Sequence, residues 1–267
     1  MPGEHEGAQA ERELLRDSGL LTLAVPQQYG GQGVAWPEIY RIVRHLAAAD
    51  SSLAHLFAFN HLQVATIVLF GNPDQQRHWL SRTVQERWFW GNATNGRDTG
   101  LVLSPREEHY ELNGSKSFCS GALGADALVI SAPRGKNPED RVFIVLPSQR
   151  EGLAVNSDWD GFGQRQTDSG TTHFEQVCVH QHELLLNLGP LSTPYASLRP
   201  LIAQLIFVHL FLGVAEGAFE TAIQSVQGQK AWSKSRVEQA VDDPFIQRHC
   251  AEFYLQLESV RLLADKA

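Results

Sequence analysis

Cysteine is scarce in this chain: three residues (Cys119, Cys178 and Cys250) among 267, far apart and in no C-x-x-C pair. An odd, scattered set excludes a disulfide scaffold or a zinc ribbon and suits a reducing compartment, the cytoplasm. Basic residues are outnumbered as well. The 22 Lys and Arg face 30 Asp and Glu, for a formal net charge of −8, and this argues against the basic face a nucleic-acid binder needs. The N-terminus, MPGEHEGAQAERE, is polar and acidic and carries no apolar leader segment. One apolar run, Leu201–Ala215 (LIAQLIFVHLFLGVA), is interrupted by Gln204 and His209 and falls short of the roughly 20 residues a membrane span requires. It reads as a buried helix, and the protein as soluble. What is present is a 43% hydrophobic composition, which rules out a disordered tail and can build a sizeable core.

Two textures alternate. From Glu11 to about Arg87 the pattern is helical: Trp36–Ala49 repeats apolar residues at Ile39, Ile42, Val43 and Leu46. Asp50-Ser51-Ser52 then caps a helix over Leu53–Phe70 that is apolar on nearly every side and belongs inside a bundle. Gly71-Asn72 stops it, and Pro73-Asp74 opens an amphipathic helix over Gln75–Thr83. The middle third switches to period two. His109–Leu112 and Ser115–Phe118 flank Asn113-Gly114, a hairpin signal. Ala127–Ser131, Val142–Leu146 and Thr172–Val179 read as further strands, with turns at 134–140 and 148–152. Short strands without intervening helices predict an antiparallel β-domain, a small barrel or sandwich. From Ala196 the helical pattern returns, with long helices over Leu198–Ser225 and Phe245–Ala267. The second carries Phe253, Leu257, Val260 and Leu263 along one face. The expected division is an N-terminal helical domain (1–87), a middle β-barrel-like domain (88–190) and a C-terminal bundle represented by its first two helices (191–267). The class is α+β.

Motifs that name a chemistry are few. Gly161-Phe162-Gly163 begins a dinucleotide fingerprint, but Gln166 stands at its third glycine. His180-Gln181-His182 suits a solvated turn better than a metal site, and His55 and His61 suit hydrogen-bonded core positions on an apolar helix. Ser120, beside Gly121 in a run of small residues, is either a packed strand end or a hydroxyl beside a bound ring. Trp88, Trp90 and Trp159 are core aromatics unless a flat cofactor lies between the β-domain and the bundle, in which case they are its walls.

Five segments in register resemble the acyl-CoA dehydrogenase superfamily. VPQQYGGQG resembles its P-E-x-Y-G-G-x-G loop, and FGNPDQQRHWL its G-x-x-x-Q-[QK]-x-x-[WY]-L segment. YELNGSKSFCSGALGADALVISA resembles the N-G-x-K-x-[WF]-[IC]-[TS] stretch and the following strand. FGQRQTDSGTTHFEQVCV resembles the G-x-R-x-[ST]-D pair of strands, with Arg165 and Asp168 at the motif positions. GVAEGAFETA resembles the glycine–alanine stretch of the first long C-terminal helix. Dehydrogenases of the superfamily show Trp-Ile-Thr and T-E-P-G-A-G-S-D where this chain has Phe118-Cys119-Ser120-Gly121 and WGNATNGRDTG. Those variants, with Trp159-Asp160 and the TDSG stretch at 167–170, resemble the flavin-dependent monooxygenase branch, of which dibenzothiophene monooxygenase is the familiar member.

The resemblance implies reduced FMN (or FAD, in a dehydrogenase) as cofactor, delivered by a separate flavin reductase. It also implies oxygen and a small sulfur-containing or aromatic substrate. The long apolar faces of the two C-terminal helices, including Leu205, Phe207, Leu210 and Phe211, predict self-association as a homo-oligomer, a dimer of dimers. No metal, membrane or nucleic acid enters. Ser120 would bond the flavin edge, Asn92 and Asn95 would donate to the flavin or to oxygen, Phe118 would pack on the ring, Gly121 would let it approach, and Trp159 would form a wall. Ser120 and Asn92 are the expected catalytic residues. Family members continue through further bundle helices, and at the alternative dehydrogenase base position, near Ala203, there is no carboxylate. Two rival readings follow: an FAD-dependent acyl-CoA dehydrogenase passing electrons to an electron-transfer flavoprotein, and a truncated, non-catalytic remnant of the fold.

Overall fold

A computed structural model describes residues 9–134, 140–185 and 193–267. In chain order it runs through helices α1 (Gln9–Ser18), α2 (Trp36–Ala49), α3 (Ser51–Phe70) and α4 (Pro73–Gln85). Strands β1 (Trp90–Ala93), β2 (Val102–Pro105), β3 (Tyr110–Lys116), β4 (Ala127–Pro133), β5 (Arg141–Pro147), β6 (Leu153–Val155), β7 (Thr172–Val179) and β8 (Leu184–Leu185) follow. Helices α5 (Leu198–Gln227) and α6 (Pro244–Ala264) close the sequence. Most of the expected turn at 134–140, and the expected domain boundary at 190, lie outside the described residues.

Capping chemistry sets the helix starts. Asp50 Oδ1 accepts from the backbone N–H of Ser52 at 2.8 Å and of Leu53 at 3.0 Å, which satisfies two donors that open α3. Asn72 and Gln75 form a reciprocal capping box on α4, behind Pro73 in the first turn. Helix α3 buries Leu56, Phe57, Leu62, Val64, Ile67 and Phe70, on several faces at once, because other elements surround it. Each such side chain stabilises the fold by roughly 1.5–3 kcal/mol. Trp88 and Trp90 are core residues that pack on Trp79, and the Trp90 indole donates to Thr83 Oγ1 at 3.0 Å. They are not cofactor walls.

The strands form two sheets among the described residues, β1-β4-β5-β8 and β2-β3-β7-β6. All pairs are antiparallel except β1 with β4. Two sequence expectations change here. Asn113-Gly114 is no hairpin turn: β3 runs straight through it, with a bulge between Leu112 and Gly114 in its pairing with β7. Asn113 Oδ1 accepts from the Gln176 N–H at 2.8 Å and fills the gap in the ladder. Gly114 has φ +123°, and a Cβ there would stand 2.0 Å from the Gly100 carbonyl oxygen, so glycine serves a close backbone approach. The stretch Ser117–Ala122 is likewise a turn rather than a strand, closed by Ser120 N–H to Phe118 O at 3.0 Å and Ala122 N–H to Cys119 O at 3.0 Å. Phe118 enters that turn at φ +54°.

The β-strands lie between the helical segments in sequence but do not separate them in space. Helix α5 crosses directly over α2, where a Cβ on Gly213 or Gly217 would come 2.2 Å from the carbonyl oxygen of Arg44 or Ala48. Small residues are what let the two backbones approach. The buried-helix reading of Leu201–Ala215 holds for one side only: Ile206, His209, Leu210, Leu212 and Gly213 are buried. Leu201 and Phe211 are open to solvent. Both α3 and α5 are long and apolar enough to cross a membrane by length and composition, and α3 is mostly buried inside the fold. On α6, Phe253 and Val260 are exposed beside Phe211, and Leu263 is exposed as well. The apolar set expected on α5 divides: Leu210 enters the core, Phe207 turns toward α3, and Phe211 faces out.

Candidate functional site

A cleft of about 420 Å³ opens where the helices and both sheets meet. Helix α3 contributes His55 and Phe59. The end of β1 and the residues after it contribute Asn92, Thr94 and Asn95, and the turn after β3 contributes Phe118 and Ser120. The segment before β7 contributes Trp159, Gln164, Thr167 and Ser169, and α5 contributes Phe207. The volume falls in the range, roughly 300–1,000 Å³, of small-ligand and cofactor pockets.

Five of the six expected site residues line it. Asn92 is buried, and its Nδ2 donates to the Ser120 carbonyl at 2.9 Å, so one amide proton is engaged and the other remains available. Ser120 Oγ meets Ser169 Oγ at 2.8 Å, Ser169 Oγ meets Thr167 Oγ1 at 2.7 Å, and Thr167 Oγ1 donates to the Gln164 carbonyl at 2.7 Å. Three hydroxyls thus form one row ending at the cleft. Phe118 is 60% exposed and meets Trp159 edge-on at 5.7 Å, while the Trp159 indole donates to the Gln164 carbonyl at 2.8 Å and is locked in place.

Asn95 reaches the cleft with its amide already committed. Its Nδ2 donates to Asp98 Oδ2 at 3.0 Å and to Ser117 Oγ at 3.3 Å, and its Oδ1 accepts from the Arg97 N–H at 3.1 Å. It shapes the loop rather than offering a donor. Gly121 is not in the wall. A Cβ there would meet Phe89 at 3.1 Å and Leu56 at 3.2 Å, so the residue turns toward the core.

The helical pattern predicts a core position for His55, yet it lines the cleft between Phe59 (centroids 4.2 Å apart) and Phe207 (5.8 Å). Burial pushes it down to about 4, so the ring is neutral at pH 7. The His55 ring lies against the Gln164 side chain, whose hydrogen bond pulls weakly the other way. Its helical neighbour His61 is a true core residue, pushed down to about 3 by burial. Sequence reasoning also missed Ser169, Thr167 and Gln164, although all three lie within the quoted QRQTDSG segment. Lys116, the lysine of the N-G-x-K stretch, is buried, and its Nζ donates to the carbonyls of Asn95 at 2.7 Å and Asp98 at 2.9 Å. Burial pushes it down to about 8. Elsewhere, His180 and His182 stack on each other at an exposed site 5.7 Å apart.

Among the described residues the cleft has no carboxylate lining it, so nothing there matches the base of a dehydrogenase. Ala203, at the alternative base position, packs against the core.

Helices before and after two antiparallel-rich sheets, with an aromatic cleft where they meet, define the acyl-CoA dehydrogenase fold. The model of the acyl-CoA dehydrogenase N-terminal domain matches residues 3–87. A probable FMNH2-dependent monooxygenase, SfnC, from Pseudomonas putida is 49% identical over 259 residues, covering 97% of this chain and 66% of the relative. Methanesulfinate monooxygenase MsuC from Pseudomonas fluorescens superposes with a TM-score of 0.94 at 48% identity, over 97% of this chain and 67% of that one. TdsC from Paenibacillus sp. A11-2, solved with FMN and indole, gives 0.89 at 38% identity, over 97% and 68%. The chain belongs to the acyl-CoA dehydrogenase superfamily, in its flavin-dependent monooxygenase branch. It spans about two thirds of the length of the curated relatives it matches (66% for SfnC).

Proposed function

We propose that this chain binds reduced FMN in the cleft and serves the oxygenation of a small organosulfur compound. The observation that carries the reading is the chemistry of the lining: neutral amide, hydroxyl and imidazole groups between aromatic walls. Reduced FMN, when bound, supplies the electrons that activate dioxygen for transfer to a soft atom such as sulfur. The residues present fit that group. Phe118 offers an exposed ring for a flat partner, and Trp159 stands edge-on beside it.

Ser120 holds a proton position. Each hydroxyl has one proton, and Thr167 gives its own to the Gln164 carbonyl. Ser169 then donates to Thr167 and Ser120 donates to Ser169, which leaves Ser120 Oγ an acceptor toward the cleft. That polarity suits an N–H of a reduced flavin. The free Asn92 amide proton and the neutral His55 ring stabilise oxygen without delivering a proton early. Phe59, Phe118, Trp159 and Phe207 exclude water.

The FMNH2 dependence of SfnC and the FMN bound to TdsC support FMN as the flavin, and a separate reductase then supplies it in reduced form. We also place the protein in the cytoplasm as a soluble homo-oligomer, a dimer of dimers. The free thiols of Cys119, Cys178 and Cys250 and the apolar outer face of α5 and α6 support this.

The test supplies chemically reduced FMN, oxygen and methanesulfinate to the protein and measures methanesulfonate against a protein-free control. A parallel arm adds FAD and an acyl-CoA and follows bleaching of the flavin spectrum. Sulfonate formation with no bleaching supports the reading. Bleaching by the acyl-CoA with no sulfonate overturns it.

A further inference from the structure

Arg12 lies on α1, outside the cleft, yet it touches both segments that carry the cleft's hydroxyls. Its Nη2 pairs with Asp168, and its Nη1 donates to the carbonyl of Leu123. Leu123 follows the turn that holds Ser120, and Asp168 stands between Thr167 and Ser169. Arg12 is 5% exposed, and its guanidinium lies over the Phe89 ring, 5.6 Å from its centroid. Burial lowers its pKa, against the opposing pull of Asp168, and it stays charged. Asp168 itself has φ +46° and ψ +48°, a left-handed conformation that a non-glycine residue keeps only when its surroundings hold it. That conformation aims the flanking Thr167 and Ser169 side chains into one row.

We infer that Arg12 is a positioning residue: by clamping Asp168 and the Leu123 carbonyl it sets the contact between Ser169 and Ser120. The planar fork fits because its two nitrogens hold a fixed spacing, and the two segments they grip must stay in register for hydroxyls 2.8 Å apart. Backbone bonds run alongside, Gly121 N–H to Thr167 O at 2.9 Å and Cys119 N–H to Gly170 O at 3.0 Å. These join the segments without fixing the left-handed turn at Asp168. The function assigned to this row rests on the FMN reading above; the clamp itself does not.

Hydrogen exchange on the flavin-free protein tests the clamp. The variants are Asp168→Asn, which removes the ion pair and still tolerates a left-handed turn, and Arg12→Lys, which keeps the charge and loses the fork. Exchange should rise about tenfold in segments 117–123 and 164–170 together, with β4, β5 and α6 unchanged, which corresponds to about 1.4 kcal/mol of local opening. Unchanged exchange there, or a uniform rise across the chain, overturns the inference.

A binding cycle tests the route through Ser120, with the Kd of chemically reduced FMN from anaerobic equilibrium dialysis as the readout. Asp168→Asn alone should weaken FMN about tenfold. In a Ser120→Ala background it should weaken FMN less than twofold, because the group it positions is already gone. Equal losses in both backgrounds show a merely structural residue and overturn the positioning role. A parent protein that binds no reduced FMN refutes the flavin reading, while the exchange result still decides the clamp.

Discussion

The Ser120 carbonyl accepts twice from one residue: the Asn92 backbone N–H at 3.3 Å and its side-chain Nδ2 at 2.9 Å. Asn92 therefore holds the turn that presents the Ser120 hydroxyl, and strand β1 is the support for both. Replacing the amide removes one of the carbonyl's two donors while the backbone N–H remains, which costs about 0.5–1.5 kcal/mol. Asn92→Ala should lower the stability measured by urea unfolding by that amount.

Ser120→Ala tests the hydroxyl alone, since the backbone carbonyl and its two donors remain. The fold should be unaffected. Loss of a partner in a dry site, about 1–3 kcal/mol, predicts a drop in product of roughly tenfold or more. Hydrogen peroxide measured against product should rise correspondingly. Unchanged coupling of oxygen use to product would return Ser120 to a packing role.

His61 makes stability pH-dependent. Burial lowers it from the usual 6.5 to about 3, so the unfolded chain takes up the proton first as pH falls. Stability from this residue is intact above about 6.5 and is lost as pH drops toward 3, at about 1.4 kcal/mol per unit. Between pH 7 and pH 5 the loss should be about 2 kcal/mol. His61→Gln should flatten that part of the urea-midpoint profile, and a slope equal to the parent's would refute the assignment.

The α2–α5 crossing is sterically closed. A Cβ at Gly217 would stand 2.2 Å from the Ala48 carbonyl oxygen, whereas at Gly228 the nearest neighbour is the Ser225 carbonyl oxygen, 3.9 Å away. Gly217→Val should destabilise by about 3 kcal/mol or more, through overpacking against backbone that cannot move aside. Gly228→Ala should change little. Thermal unfolding followed by circular dichroism separates the two.

Phe211, Phe253, Val260 and Leu263 leave an apolar face open on α5 and α6. Light scattering at micromolar concentration should give a mass above that of one chain, and Phe211→Glu should lower it. A monodisperse monomer would count against association through this face.

Local chemistry made much of the architecture readable. The caps at Asp50 and Asn72 and the helical period of Trp36–Ala49 are properties of adjacent residues, and the structure repeats them. The alternation in Thr172–Val179 is of the same kind. Strand β1 was illegible because all four of its residues are buried, which erases the period-two signal. Asn113-Gly114 misled because a bulge and a hairpin ask the same of glycine, a backbone region other residues avoid. The site divides the same way. Asn92, Phe118, Ser120 and Trp159 carry motif resemblances along the chain, and all four reach the cleft.

What sequence alone determined is the order of elements, their caps and the superfamily to which they belong, because each depends on neighbours a few residues apart. Tertiary structure decided the rest. His55 became a cleft residue while His61, six positions on along the same helix, became core, because α5 and the Gln164 segment meet one and not the other. The row from Gln164 to Ser120, and the Arg12 clamp behind it, join residues separated by 49 and 156 positions. No local pattern encodes such contacts; they exist only once burial has brought the segments together.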